Sequence, residues 1–165
     1  MTIADQSQLL TFFVSGAEYG VDILRVQEIR GWSAPMPMPR TPTFVKGVIN
    51  IRGDIVPIAD LRERLGMSPQ EATPTTAIVV LRIEQDGRST VRGIVVDAMS
   101  DVTTVDAAHI KPPPDVVEAA GFAAFARGIA IVDEKLITIL DVDGVFPAAV
   151  SNDNHDTLDA AIAAP

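Results

Sequence analysis

The sequence has no cysteine among its 165 residues, which excludes a disulfide framework and any thiolate metal site. The absence of cysteine also suits a reducing cytoplasm. Aromatic residues make up only 5% of the chain while hydrophobic residues make up 47%, so the core has to be built mainly from aliphatic side chains. With 21% charged residues, this composition is typical of soluble globular proteins and not of disordered chains.

Long apolar runs and an excess of positive charge are also missing. No run reaches the roughly 18 apolar residues of a membrane-spanning helix, and the opening residues MTIADQSQLL contain no basic segment. We therefore expect neither a signal peptide nor direct membrane insertion. Lys and Arg number 13 against 22 Asp and Glu, which gives a net charge of −9. Because this charge repels phosphate groups, we expect no nucleic-acid partner.

Residue patterns that bind metals or cofactors are sparse. His109 and His155 are the only histidines, and neither has metal-binding spacing or belongs to a recognisable triad motif. The glycine-rich loops that hold phosphates are absent. The segment DVDG at residues 141–144 is similar to the start of a calcium loop, but Asn152 stands where a bidentate glutamate is required. We expect a strand-to-helix corner there, no metal, no cofactor and no catalytic residue.

Two carboxylates leave a catalytic alternative open. In a small β-barrel enzyme or ligand carrier, Asp97 and Asp101 could act as acid and base within a pocket. Both residues alternate with Val, Thr and other strand-forming residues, which favours solvated strand ends instead. The sequence therefore favours a protein that is not an enzyme.

Glycine and proline interrupt the chain at short intervals, and the segments between them are rich in Val and Ile, which predicts an all-β barrel or sandwich. Apolar residues at 24, 26 and 29 predict a short helical turn over residues 24–29. Pro57 predicts an edge position or a bulge for its strand. The predicted strands cover residues 9–15, 19–23, 44–51, 54–59, 76–84, 89–97, 102–105, 129–132 and 136–140.

An internal repeat is visible between the two halves of the sequence. FVKGVINI (44–51) matches FARGIAIV (125–132) at an offset of 81 residues, and the next segment of each half keeps this offset and ends in an Asp that could cap a short helix. GVDILRVQEI (20–29) also matches GIVVDAMSDV (93–102). Two matches in the same order predict two copies of one β unit, as two five-stranded barrels that share a core. A chance likeness of short Val/Ile strands is the alternative.

Two sequence blocks carry a resemblance to a known family. EYGVDILRVQEIRG (18–31) and TPTFVKGVINIRGDIVPIADL (41–61) resemble the CheW-like chemotaxis coupling proteins, with GVDI, VQEI, FVKGV and NIRG in the same order. The resemblance implies a mainly β fold of two SH3-like five-stranded β-barrel subdomains that share a core, with short helices. It also implies one CheW-like domain over residues 8–148, preceded by a segment of residues 1–7 and followed by a flexible or weakly helical tail of residues 149–165.

The same resemblance implies a function and a location. CheW-like proteins are non-catalytic adaptors that couple the cytoplasmic tips of chemoreceptors to a CheA-type histidine kinase and help to control its activity. The chain is then expected to be cytoplasmic and recruited to membrane-bound receptor arrays. A CheW-like adaptor of another two-component pathway is the alternative that the sequence leaves open.

Two contact surfaces follow from the resemblance. From composition alone, Glu28 and Arg52 are expected to form an ordinary surface ion pair. The resemblance instead implies that they lie in a receptor groove, beside an exposed Val26 that acts as apolar anchor. The expected receptor-binding residues are Val26, Glu28, Asn50, Arg52, Gly53, Met99 and Val102. The expected kinase-binding residues are Val45, Lys46, Gly47 and Val48.

Two proline-rich segments interrupt the pattern. The segment SAPMPMPRTP (33–42) predicts an extended connection strapped over a barrel, and recognition of its PRTP sequence by an aromatic groove is the alternative. The prolines at 112–114 predict a rigid connector between the two halves.

Overall fold

Eleven strands and two short α-helices build the part of the chain that the computed structural model describes, residues 6–114 and 125–146. The strands are β1 Gln6–Val14, β2 Ala17–Asp22, β3 Val26–Gly31, β4 Val45–Ile51, β5 Asp54–Asp60, β6 Ala77–Gln85, β7 Arg88–Val96, β8 Ala98–Asp106, β9 Ile110–Lys111, β10 Ala126–Val132 and β11 Lys135–Leu140. The helices are α1 Leu61–Arg64 and α2 Val142–Val145, and the 3-10 turns are Ile23–Arg25 and Ala107–His109. The prediction of a mainly β fold is confirmed.

Two of the hairpins turn on the residue pairs that the sequence predicts. Arg52 and Gly53 connect β4 to β5 with φ of 50° and 91°, and Asp86 and Gly87 connect β6 to β7 with φ of 53° and 74°. Two successive residues with positive φ form the type I′ turn, whose twist matches that of antiparallel strands.

The helical turn predicted over residues 24–29 is wrong beyond its first residues. Asp22 accepts a hydrogen bond from the backbone N–H of Leu24 at 3.0 Å and caps a 3-10 turn that ends at Arg25. From Val26 the chain continues as β3, which pairs with β6, and its residues alternate between half-buried and exposed. The available partner strand therefore decided the local structure, not the spacing of the apolar residues.

The edge position predicted from Pro57 is also wrong, because β5 lies between β4 and β7. Across the hairpin Pro57 faces Val48, whose own backbone N–H and C=O both bond to Met36 on the other side. The parallel register with β7 begins at Ile58, beyond the proline. The missing N–H of Pro57 therefore removes no hydrogen bond from the pairing of β5 with β4 or with β7. The bulge in this pair lies on β4, between Val45 and Gly47.

The two sheets have the same strand order. The first sheet runs β8-β1-β2-β11-β10-β9 and the second runs β3-β6-β7-β5-β4. Taken in order, the strands β3, β6, β7, β5 and β4 of the second sheet correspond to β8, β1, β2, β11 and β10 of the first. The first sheet continues with a sixth strand, β9, which pairs with β10. At the equivalent edge of the second sheet, the single residue Met36 forms a bridge to Val48 of β4. The first sheet thus has one strand more than the five predicted.

Individual positions confirm that the repeat is structural. In the parallel pair of β2 with β11, Gly20 faces Ile139, and in the parallel pair of β7 with β5, Gly93 faces Ile58. Asp60 caps α1 and the equivalent residue of the other half, Asp141, caps α2. The DVDG segment is accordingly the strand-to-helix corner that the sequence predicts.

One apolar core is shared by both sheets. Phe12 and Val14 of β1 pack in the same buried cluster as Leu81 of β6 and Ile94 of β7, and Val145 of α2 joins them. A smaller cluster lies within each sheet. Burying each of these large aliphatic or aromatic side chains contributes about 1.5–3 kcal/mol, so the shared cluster holds the two halves together.

Some predictions concern residues outside the described ranges. Asn152, His155 and the tail of residues 149–165 are among them, while residues 6 and 7 of the predicted N-terminal segment already belong to β1. The domain bounds of 8–148 remain a prediction. Among the described residues, no helix has the length and hydropathy needed to cross a membrane.

Candidate functional site

Arg52 and Glu28 join the two edges of the second sheet. Arg52 follows β4, which lies at one end of the strand order, and Glu28 lies on β3 at the other end. The Nη2 of Arg52 donates to Oε1 of Glu28, and Nη1 of Arg30 donates to Oε2 of the same carboxylate at 3.1 Å. The sheet therefore curls until its edges meet, and one carboxylate with two guanidinium groups bridges them.

The electrostatics of this cluster favour a charged Glu28. The hydrogen bond from Arg52 is the largest cause that holds the pKa of Glu28 below its ordinary value of 4.5, and the hydrogen bond from Arg30 adds to it. The side chain of Arg52 remains 70% exposed although it is paired, whereas that of Glu28 is 21% exposed. The cluster thus presents a guanidinium group of defined position to solvent.

The turn that carries Arg52 is fixed by its neighbours. Oδ1 of Asn50 accepts a hydrogen bond from the backbone N–H of Gly53 at 2.8 Å. Arg52 itself has φ of 50°, a conformation that costs a residue with a side chain roughly 1–2 kcal/mol. Asn50 and Gly53, both expected to bind a receptor, therefore have a structural role in holding Arg52 in place.

Three further residues of the expected receptor surface lie away from this turn. Val26, expected as an exposed anchor, is half-buried on β3 and packs against the shared core. Met99 and Val102 lie on β8 of the first sheet, where Met99 packs against the same core and Val102 is 46% exposed. The structure thus brings together Glu28, Asn50, Arg52 and Gly53. Val26 lies two residues from Glu28 on the same strand, packed against the core, and Met99 and Val102 lie on the other sheet.

Sequence reasoning missed Arg30 and Ile55 at this site. Reading residues 24–29 as a helical turn hid the strand alternation that puts Arg30 on the same face as Glu28. Ile55 lies opposite Asn50 in the hairpin and is 66% exposed, which makes it the exposed apolar residue beside the Arg52 turn. Nothing in the sequence distinguishes Ile55 from a buried strand residue.

The expected kinase-binding residues Val45, Lys46, Gly47 and Val48 form the first part of β4. Nζ of Lys46 pairs with Oε2 of Glu63, a residue of α1 whose side chain is 9% exposed. This ion pair connects the beginning of β4 to the first helix.

The proline-rich segment covers the open edge of β4. Met36 donates its backbone N–H to the carbonyl of Val48 at 2.8 Å and accepts the N–H of Val48 at 2.9 Å. Gly47 has φ of 141°, and a Cβ at this position would overlap the carbonyl of Met36. The prediction of a strap over the barrel is confirmed, and it requires a glycine at position 47.

The two carboxylates of the catalytic alternative have separate environments. Asp97 accepts from Nη2 of Arg62 at 2.5 Å and from the backbone N–H of Ser15 at 2.8 Å, and it borders a cavity. Asp101 accepts from the backbone N–H of Val102 at 2.8 Å and does not line that cavity. Within the described ranges, no group of three or more His, Asp or Glu side chains could hold a metal ion.

Comparisons with known proteins identify what this arrangement is similar to. The model of the CheW-like domain family matches residues 8–150. A chemotaxis protein CheW from Rhizobium meliloti is 42% identical over 142 residues, which are 86% of this chain and 88% of that protein. A probable chemotaxis protein CheW from Rhizobium etli is 38% identical over 139 residues, 84% of this chain and 86% of that protein.

A solved structure shares the fold. The crystal structure of the scaffolding protein TtCheW from Thermoanaerobacter tengcongensis matches with a TM-score of 0.75 and 32% sequence identity. The match covers 86% of this chain and 93% of that one.

Proposed function

The chain belongs to the CheW-like domain family and has a chemotaxis scaffold role, and on this premise we propose that it couples chemoreceptors to a CheA-type histidine kinase. In this proposal it binds the cytoplasmic tips of the receptors on one surface and the kinase on another. It carries the signal by contact, catalyses no reaction, and is recruited from the cytoplasm to membrane-bound receptor arrays.

The main support for the proposed receptor surface is that the guanidinium group of Arg52 is exposed and fixed in position. Its position is set by the carboxylate of Glu28 and by the turn, so little side-chain entropy is lost when a partner binds it. Ile55 beside the turn adds an exposed apolar side chain. An apolar contact next to orienting charges suits docking onto a helical hairpin.

Val26, Met99 and Val102 remain candidates for the receptor surface on the strength of the resemblance alone. Of these, Val102 has the most exposed side chain, whereas Val26 and Met99 pack against the shared core. We expect substitutions at Val26 and Met99 to reduce stability as well as binding.

The kinase surface is proposed at the start of β4, with Val45, Lys46, Gly47 and Val48. Because the strap covers the backbone edge of β4 at Val48, a partner reaching this region would meet Met36, which is 62% exposed. We therefore propose that β4 and the strap together form the kinase surface.

Co-sedimentation with receptor-containing membranes and a CheA-type kinase tests the proposal. The wild type should sediment with both, and Arg52→Glu should lose receptor binding because the reversed charge meets Glu28 and the receptor. The double variant Glu28→Arg with Arg52→Glu restores an ion pair of opposite polarity. If the cluster contacts the receptor, this variant folds but does not bind, and if the cluster serves only to join the sheet edges, it binds like the wild type.

The enzyme or ligand-carrier alternative is tested separately by a thermal-shift screen of metabolites and divalent metals. A specific ligand at a hundred times its dissociation constant stabilises a protein by roughly 2.7 kcal/mol. A reproducible shift that is lost both in Asp97→Asn and in Asp101→Asn would support that alternative, because it needs both carboxylates and only Asp97 borders the cavity. The proposal expects no such shift. A CheW-like role in another two-component pathway would show as binding to a kinase of that pathway and not to one that serves chemoreceptors.

A further inference from the structure

A cavity of about 300 Å³ opens at the end of the second sheet that lies opposite the Arg52 turn. Its lining includes Lys46 at the start of β4, Asp60 at the end of β5 and Asp97 just after β7. Trp32, the residue before the strap, also lines it. Residues 69–72, after α1, form another wall. Because Arg52 follows the other end of β4, this cavity is separate from the cluster described above.

The positive charges in this cavity are already paired. The ammonium group of Lys46 pairs with the carboxylate of Glu63. The guanidinium group of Arg62 makes two hydrogen bonds to Asp97, from Nε at 3.2 Å and from Nη2 at 2.5 Å. An anionic ligand would have to displace one of these partners.

Two carboxylates of the cavity lack such a partner. Asp60 is 9% exposed, and its Oδ1 accepts the backbone N–H of Arg62 at 3.0 Å. Within the part of the chain that the structure describes, no cation lies in ion-pair distance of Asp60 or of Glu71. Burial is the largest cause that raises the pKa of Asp60 above its ordinary value, and the backbone hydrogen bond from Arg62 and the charges of Lys46 and Arg62 offset it only in part. A further cation that enters the cavity would favour the charged form of this carboxylate.

The aromatic ring on the cavity wall, that of Trp32, can also attract a cation. Trp32 is the single tryptophan of the chain and is 39% exposed. The face of an indole ring attracts a cation, and a guanidinium group also stacks on it. Because Asp60 and Glu71 make no ion pair within the described residues, a cavity that combines them with a half-open indole ring favours a basic side chain over an acidic or neutral one.

We propose that this cavity binds an arginine or lysine side chain of a partner protein, with the aliphatic part of that side chain against Trp32 and its charge between Glu71 and Asp60. The net charge of −9 favours the approach of a basic segment from solution. The proposal depends on the geometry of the cavity and not on which protein supplies the basic residue. The cavity is separate from the proposed receptor surface, and it shares Lys46 with the proposed kinase surface.

Tryptophan emission of the full chain tests the proposal, because Trp32 is the only source of that signal. The probe is the peptide acetyl-Gly-Arg-Gly-amide at constant ionic strength, and the same peptide with citrulline or with glutamate in place of arginine is the control. We expect a saturable change with the arginine peptide alone. No saturable change, or equal changes with the citrulline or glutamate peptide, would overturn the proposal.

A pair of matched variants locates the binding. Glu71→Gln removes a cavity carboxylate, while Glu84→Gln makes the same change at a residue that is 55% exposed and outside the cavity. Loss of one partly exposed charge contact should weaken arginine-peptide binding about two- to fivefold in Glu71→Gln and leave Glu84→Gln like the wild type. Equal affinities in the two variants would place the binding somewhere other than this cavity and contradict the proposal.

Discussion

Arg52 and Glu28 are neighbours in space although their strands lie at opposite ends of the second sheet. Their ion pair, with Arg30 on the other carboxylate oxygen, joins the edges of the curled sheet. The repeat places Asp101 and Asp133 at the equivalent positions of the first sheet, so the corresponding attraction is missing there. The two halves therefore share a backbone plan and differ in the charge that they present to partners.

The charge state of Glu28 gives the first prediction. Because its folded pKa is lowered, mainly by Arg52, the stabilisation from this pair is present above pH 4.5 and is lost as the pH falls through the lowered value. An NMR titration should show Glu28 titrating below 4.5 in the wild type and nearer to 4.5 in Arg52→Gln. Identical titration curves would show that Arg52 does not hold the carboxylate in solution.

Two ion pairs at equivalent places of the two halves give the second prediction. Arg62 of α1 binds Asp97, and in the other half Asp143 of α2 binds Arg25 with contacts of 3.0 and 2.5 Å. Arg62 and Asp143 are equivalent positions in the repeat, so the polarity of the pair is inverted between the halves. Each pair fastens a helix to a segment where the chain passes from one sheet to the other.

Removing one partner of such a pair should destabilise the protein, and exchanging the two partners should restore part of the lost stability. The side chain of Arg62 is 10% exposed, so Arg62→Ala should lower the free energy of unfolding by about 2 kcal/mol, since the hydrogen bonds to Asp97 and Ser15 are lost. Arg25→Asp combined with Asp143→Arg should recover part of the loss seen in Arg25→Asp alone, as measured by urea denaturation, because the bonds of Arg25 to the carbonyl of Arg82 and of Asp143 to the N–H of Glu84 stay lost. An additive loss in the double variant would mean that the two charges do not interact.

The strap over β4 gives the third prediction. In Gly47→Ala the new Cβ would overlap the backbone carbonyl of Met36, so the strap or the strand has to move. We expect a loss of at least about 2 kcal/mol in the free energy of unfolding, since an overlap with backbone adds to the strain of a positive φ. Gly53→Ala is the control, because its Cβ meets nothing within 4 Å and only the conformational cost of about 1 kcal/mol remains. Equal losses in urea denaturation would rule out the overlap.

Local patterns predicted much of this fold because their causes are local. The turns at Arg52-Gly53 and Asp86-Gly87 follow from the preference of these pairs for positive φ. The caps at Asp60 and Asp141 and the repeat were visible because each unit repeats the same short-range requirements.

The errors had causes that lie far away in the sequence. Residues 26–31 form a strand because β6, some fifty residues later, pairs with them. Pro57 is tolerated inside the sheet because the parallel register with β7 starts one residue later. The ion pair of Arg52 with Glu28 was expected, but its place across the two edges of the sheet and its third member Arg30 follow from the curling of the sheet, which no single segment shows. The functional roles of the expected contact residues remain predictions.

A receptor contact at Arg52 is tested by the receptor-dependent activity of a CheA-type kinase, reconstituted with receptor membranes and either the wild-type chain or Arg52→Glu. We expect the wild type to raise kinase activity in the presence of receptors. We expect Arg52→Glu, with an unfolding curve close to that of the wild type, not to raise it. Equal activation by both proteins would contradict a receptor contact at Arg52, and no activation by the wild type would contradict the coupling role itself.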